Sequence, residues 1–299
     1  MNINQYIKKG SVNLKHFLSL DGVTENDIAE IIISAREFKN MRAVHENSTA
    51  LKGQYVLLVT KQNNPRANIT FQIAIKELSG EPIITSLMGE HLESLLEDAN
   101  YVKALSACGL SAILVCTSKS SDSKAFFDSS SVPVIDATMG RNPVEALAAL
   151  MTVSELTPNF KGLKFTIVGD LSQGDYSFIT ALLKFDADVT LYTTKDGSLP
   201  EQASRYLSQF AELKITHDKE SAIKGADYIY FTDGDGSLFI DGDDLSINEN
   251  VKILSSVPVS SKLANSSVYE SENSLISKQN ENLLHTCKAL LYLLSNKKA

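Results

Sequence analysis

Residues 55–80 read YVLLVTKQNNPRANITFQIAIKELSG. The opening YVLLVT is a short, nearly continuous apolar run. Such a run marks a strand buried on both faces, as in a parallel sheet. Polar residues follow, and ITFQIAIKELSG then carries apolar residues at helical spacing. A strand, a polar loop and a helix is the usual layout of an anion site. This loop holds one fixed cation, Arg66, and Pro65, which has no backbone N–H to donate. Taken alone, it reads as a strand-to-helix turn, with Asn64 and Pro65 as turn residues and Arg66 in solvent.

The same alternation runs outward along the chain. EPIIT (81–85), SAILVCT (111–117) and VPVID (132–136) predict strands, and so do LKFTIVGD (163–170), DVTLYT (188–193), ELKIT (212–216), ADYIYFT (226–232) and VKILSSV (251–257). TENDIAEIIISAREFKNM (24–41) predicts a helix with Thr24 as N-cap and Asp27 at the capping-box position. NPVEALAALMTVSELT (142–157) and ENLLHTCKALLYLLSN (281–296) predict two more. Strands alternating with helices give an α/β fold, here two domains, each a parallel sheet flanked by helices, with the 142–157 helix joining them and a cleft between. Ligands of such sheets bind beyond the carboxyl ends of the strands. The loops after residues 60, 117, 136, 170, 232 and 257 are therefore the places to search. No internal repeat stands out, and the Ser-rich stretch 117–131 reads as a surface loop with a short helix.

The bulk composition agrees. The chain has 299 residues, enough for about two domains, and is 43% hydrophobic and 21% charged. A net charge of −8 argues against a broad nucleic-acid or anionic-membrane surface. Cys108, Cys116 and Cys287 form no CxxC pair, which fits buried thiols in a reducing compartment. No apolar run approaches the roughly 20 residues of a membrane helix, and no signal core opens the chain. The expectation is a cytoplasmic protein with no nucleic-acid partner and no membrane partner.

The remaining loops are polar but uncommitted. SLMGEHLESLLED (86–98) is acidic and reads as a helix start, where acids suit the dipole. In DATMGRNPVEAL (136–147), Asn142 is placed to cap a helix and Pro143 to open it. VGDLSQGDYSFITALLKF (168–185) has a glycine turn without GxGxxG, and Asp175 near its helix start disfavours phosphate. FTDGDGSLFIDGDD (231–244) carries Asp233, Asp235, Asp241, Asp243 and Asp244. It has the carboxylate density of a calcium loop, but Leu238 stands where that loop needs Gly, and Asp-Gly repeats are ordinary turns. No metal and no cofactor is expected. No His pair has metal-ligand spacing, and no GxSxG elbow is present.

Taken in order, these segments resemble the aspartate/ornithine carbamoyltransferase family over nearly the whole chain. LKHFLSLDGVTENDIAEIIISAREFK is similar to the family's first helix, and residues 51–80 to its strand, phosphate loop and following helix. DATMGRNPVEALAALMTV stands where the family has His-Pro-x-Gln before an interdomain helix, and NENLLHTCKALLYLLS resembles its closing helix. The segments GDLSQG and LLKFDADV resemble the aspartate branch. The resemblance implies a carbamoyl-phosphate-binding-like domain over 1–145, with 281–299 packing back on it, and an amino-acid-binding-like domain over 146–280. It also implies a homotrimer.

Carried over position by position, the family's site is mostly replaced. Its Ser-Thr-Arg-Thr-Arg loop becomes Asn64-Pro65-Arg66-Ala67-Asn68, keeping one Arg. His91 takes the position of a Lys lent to the neighbouring subunit. His-Pro-x-Gln becomes Asn142-Pro143-Val144-Glu145, and an Arg is lost around Cys116-Thr117. On the amino-acid side, Asp175, Asp233 and Asp235 stand where Arg, Arg and Gln are expected, and His-Pro-Leu-Pro becomes Ser255-Ser256-Val257-Pro258. The resemblance thus makes Arg66, His91, Asn142 and Glu145 vestiges of the catalytic set. Asn64, Arg66, Asn68, Asp175, Asp233, Asp235, Ser255 and Ser256 are candidates for ligand binding. Converging cations stabilise a dianion and its transition state as a unit, so their loss predicts a catalytically degenerate protein. It would bind a ligand, assemble with an active relative or regulate one. The alternative is an active transferase whose acids accept a cationic second substrate.

Overall fold

A computed structural model describes residues 2–60, 65–86, 98–116, 124–137, 142–171, 173–194, 213–234 and 236–295. The chain divides into two compact units. The first is Tyr6–Met151 with Glu281–Ala299, and the second is Met1–Gln5 with Thr152–Asn280. Both divisions after residue 6 fall inside helices.

The first unit opens with α1 (Glu25–Ala43). Thr24 is its N-cap: the Oγ1 accepts from Asp27 N at 3.1 Å and donates to the Asp27 carboxylate at 2.9 Å. Strand β1 (Tyr55–Thr60) leads to α2 (Pro65–Glu77) and β2 (Glu81–Ser86), then α3 (Ala99–Ser106) and β3 (Leu110–Cys116), then α4 (Lys124–Ser129) and β4 (Val134–Asp136). Among the described residues these strands form one parallel sheet in the order β2-β1-β3-β4. Leu57, Val59, Ile113, Val115 and Val134 build one buried face with Val102 of α3. This is why YVLLVT and SAILVC carry no polar alternation: both faces are covered.

Helix α5 (Pro143–Leu156) carries the chain onward, and the unit division falls within it, after Met151. The second unit continues with β5 (Lys164–Val168), α6 (Gln173–Lys184), β6 (Asp188–Tyr192), β7 (Lys214–Thr216), α7 (Lys219–Ile223), β8 (Tyr228–Phe231), α8 (Gly242–Leu245), β9 (Lys252–Ser255) and α9 (Ser266–Tyr269). Its strands form a second parallel sheet, in the order β7-β6-β5-β8-β9. Aromatic rings line one side of it. Phe165 stacks on Tyr228 with centroids 4.9 Å apart, and Phe178 lies 4.7 Å from Tyr230.

The last helix, α10 (Ile276–Ser295), begins five residues before the predicted start at 281. Polar Ser277-Lys278-Gln279-Asn280 hid that first turn, yet Gln279 is buried and its amide donates to Ser255 O at 2.9 Å. Beyond residue 280 the helix packs within the first unit. Tyr292 meets Phe38 edge-on at 5.7 Å, and Lys39 donates to the Asn282 amide oxygen at 2.8 Å.

Lys288, only 3% exposed, pairs with Glu77 at 2.8 Å and lies 5.5 Å from the centre of the Phe38 ring. Arg42 pairs with the other Glu77 oxygen at 3.0 Å. His285 is buried on the same helix, and neither ring nitrogen has a hydrogen-bond partner.

Candidate functional site

In the first unit, α2 begins at Pro65, whose missing N–H costs nothing at the first helical position. Arg66 is the next residue. It is not solvated, as the loop taken alone predicted: its side chain is 29% exposed, and Nη2 donates to Glu145 Oε1. The Glu145 side chain is 12% exposed and sits in the first turn of α5. Two of the residues picked out from sequence, far apart in the chain, therefore meet as an ion pair.

The carboxylate end of the pair is the more shielded from water. Burial pushes the Glu145 carboxyl above the usual carboxylate range, and the Arg66 charge and hydrogen bond only partly offset it.

Asn142 departs from its predicted role. An N-cap needs extended backbone so that its side chain can turn back on the first N–H groups. Asn142 has φ 41°, in the left-handed region, and its Oδ1 is buried without a hydrogen-bond partner. The helix still starts at Pro143 as predicted. Asn68, in the second turn of α2, has a buried Oδ1 in the same condition. Asn64 and His91 lie outside the described residues.

In the second unit the carboxyl ends of β5, β8 and β9 are laced together. Asp170 N donates to Asp233 O at 2.8 Å, and Thr232 Oγ1 lies within reach of the carbonyls of Val168 and Asp170 at 3.1 and 3.2 Å. Gly169 has φ 123°, and a Cβ there would stand 2.4 Å from Asp233 O, so only glycine fits. The exposed Asp233 accepts from Gly234 N at 2.8 Å and Ser260 Oγ at 3.3 Å. Ser255 is fully buried: its Oγ donates to Ser256 O at 2.7 Å, and its N–H to Gln279 Oε1 at 3.4 Å. Ser256 Oγ donates to Thr232 O at 3.1 Å. Asp175 is buried in the first turn of α6. Thr232 and Gly169 were missed from sequence, since a lone Thr at a strand end gives no spacing signal.

Two acids of the Asp-rich stretch, Asp241 and Asp244, cap a helix. Asp241 Oδ1 accepts from Asp244 N, and Asp244 Oδ2 accepts from Asp241 N, both at 2.9 Å, which is a capping box. Lys219 donates to Asp244 at 2.8 Å. Burial raises the Asp244 carboxyl, but the bonds from Lys219 and the Asp241 backbone hold it below its ordinary value. Among the described residues no group of three or more His, Cys, Asp or Glu side chains is placed to hold a metal, and Asp235 lies outside them.

Known proteins align with this arrangement. The model of the aspartate/ornithine carbamoyltransferase carbamoyl-P binding domain matches residues 15–155. An ornithine carbamoyltransferase of Methanocaldococcus jannaschii is 30% identical over 258 residues, covering 83% of this chain and 81% of its own. That of Carboxydothermus hydrogenoformans is 25% identical, covering 94% and 97%.

Among solved structures, the ornithine carbamoyltransferase from Pyrococcus furiosus superposes with a TM-score of 0.86 at 23% identity, covering 95% of this chain and 98% of its own. An aspartate transcarbamoylase from Trypanosoma cruzi, in complex with carbamoyl aspartate and phosphate, gives 0.84 at 15%, covering 98% and 99%. Of these, the ornithine enzymes have the higher identities, against the expectation of the aspartate branch drawn from GDLSQG and LLKFDADV.

Proposed function

The chain belongs to the aspartate/ornithine carbamoyltransferase family, and on that premise we propose that it has lost normal carbamoyl transfer and serves as a binding, assembly or regulatory protein. The observation that carries this reading is the Arg66–Glu145 pair. The one Arg kept in the phosphate-loop position already faces a carboxylate of its own chain. Around it, Pro65 offers no N–H, and Ala67 replaces a donor. Each charged hydrogen bond lost is worth about 1.5–3 kcal/mol, and donors that act as a unit fail together. Isothermal titration with carbamoyl phosphate is expected to give no binding at micromolar concentrations. Micromolar affinity would sink the proposal.

The first unit corresponds to the carbamoyl-phosphate side of the family and the second to the amino-acid side. The working assembly is a homotrimer, or a mixed assembly with an active relative, in the cytoplasm. Among the described residues no helix is long and apolar enough to cross a membrane.

A second reading draws on Asp233, exposed beyond the end of β8, and on relatives named for ornithine, whose side chain carries an amine. The protein would then be a transferase acting on a cationic second substrate. Phosphate release over a panel of amines and amino acids checks this, and turnover no faster than the blank across the panel rejects it.

A further inference from the structure

We propose that Glu145 is a built-in counter-ion that closes the Arg66 site, so that an oxyanion reaches Arg66 only when this carboxylate is removed or displaced. The inference rests on the reading of that site as closed, and it names the residue that closes it. Arg66 stands in the first turn of α2 and Glu145 in the first turn of α5. A carboxylate and a phosphate present the same kind of oxygen pair to a guanidinium, so the two compete for the same donors.

The competition is unequal. Glu145 belongs to the same chain, and a tethered group acts at an effective concentration on the order of millimolar or more. A dissolved anion must exceed that before it displaces the side chain. The pair is also poorly solvated: Glu145 is 12% exposed and Arg66 29%. Burial penalises the ionised carboxylate more than Arg66 repays, so the structure holds a charge there at a cost in stability. That cost is explained if the carboxylate takes the place of a ligand. The same two helix starts carry Asn68 and Asn142, each with a buried side-chain oxygen lacking a hydrogen-bond partner, so polar capacity remains there unused.

Glu145→Gln tests the idea, because it removes the charge and keeps the shape. Inorganic phosphate and carbamoyl phosphate are titrated into the full chain and into Glu145→Gln, Glu145→Ala and the double variant Arg66→Gln/Glu145→Gln, with melting curves to confirm folding. The alanine variant covers the case in which the new amide keeps hold of Arg66. Either single variant is expected to bind at least one anion about 10-fold or more tighter than the unaltered chain, the worth of one charged hydrogen bond. The double variant is expected to lose that gain.

If both folded single variants bind no better than the unaltered chain, the lock is refuted, while the proposed loss of carbamoyl transfer stands. If the gain persists in the double variant, binding does not run through Arg66, and the lock is again refuted. Micromolar binding of carbamoyl phosphate by the unaltered chain overturns both readings.

Discussion

Two charge arrangements in the first unit invite comparison. In the Lys288 cluster, one carboxylate serves two cations: Glu77 takes Lys288 at 2.8 Å and Arg42 at 3.0 Å. Lys288 also lies within 3.4 Å of Phe38 O and over the Phe38 ring. At the candidate site, Glu145 is held by Arg66, and burial outweighs what that cation returns. The first arrangement clamps α10 to α1 and α2. The second joins two helix starts at the carboxyl end of the sheet, where a ligand would otherwise be met. A charge pair therefore has no fixed meaning: partners, burial and position decide whether it holds the fold or fills a site.

The sharpest way to break that contrast is to remove one cation from each arrangement. Lys288→Ala is expected to cost about 3 kcal/mol in urea denaturation, the lower end for a broken buried pair because Glu77 keeps Arg42. Arg66→Ala is expected to cost only about 1 kcal/mol, since the Arg66 side chain is partly exposed and burial of Glu145 already offsets part of what the pair returns. Equal losses would erase the distinction.

A smaller effect tests the surroundings of the clamp. Burial, then the charges of Lys288, Lys39 and Arg42, hold His285 neutral, lowering its pKa from 6.5 to about 3. The unfolded chain takes up this proton below pH 6.5 and the folded chain does not. Stability linked to His285 is therefore complete above pH 6.5 and is lost as pH falls toward 3. His285→Leu removes two unsatisfied nitrogens and is expected to stabilise by about 1 kcal/mol at neutral pH, with a flatter decline in acid. His16, lowered to about 4 by burial, continues to titrate in both proteins. An unchanged acid slope in the variant would show that His285 is not a source of the acid sensitivity.

Much of the fold was legible because burial writes itself as composition. YVLLVT was predicted and found residue for residue as β1, and Thr24 was found capping α1. Where polar residues lie inside an element, the signal faded: α10 gained its first turn from Ser277 to Asn280, which the apolar pattern could not include. At the site, position in the chain singled out Arg66 and Glu145, but their pairing across 79 residues is a tertiary event with no local trace. Asn142 shows the converse, a strong local cap signal overruled by a left-handed backbone. Thr232 and Gly169 were invisible because close backbone approach between β5 and β8 is what gives them meaning.

The division of α10 between the two units bears on biosynthesis. The first unit draws on Glu281–Ala299, and Lys288, Tyr292 and Asn282 supply contacts to α1 and α2. A nascent chain that has just cleared the ribosome through residue 151 still lacks that helix. At about 10 residues per second, the stretch up to residue 280 emerges over roughly ten seconds before the missing piece arrives. For that interval the surface of α1 awaiting α10 stands open to chaperones, and the second unit has the earlier opportunity to complete its own core.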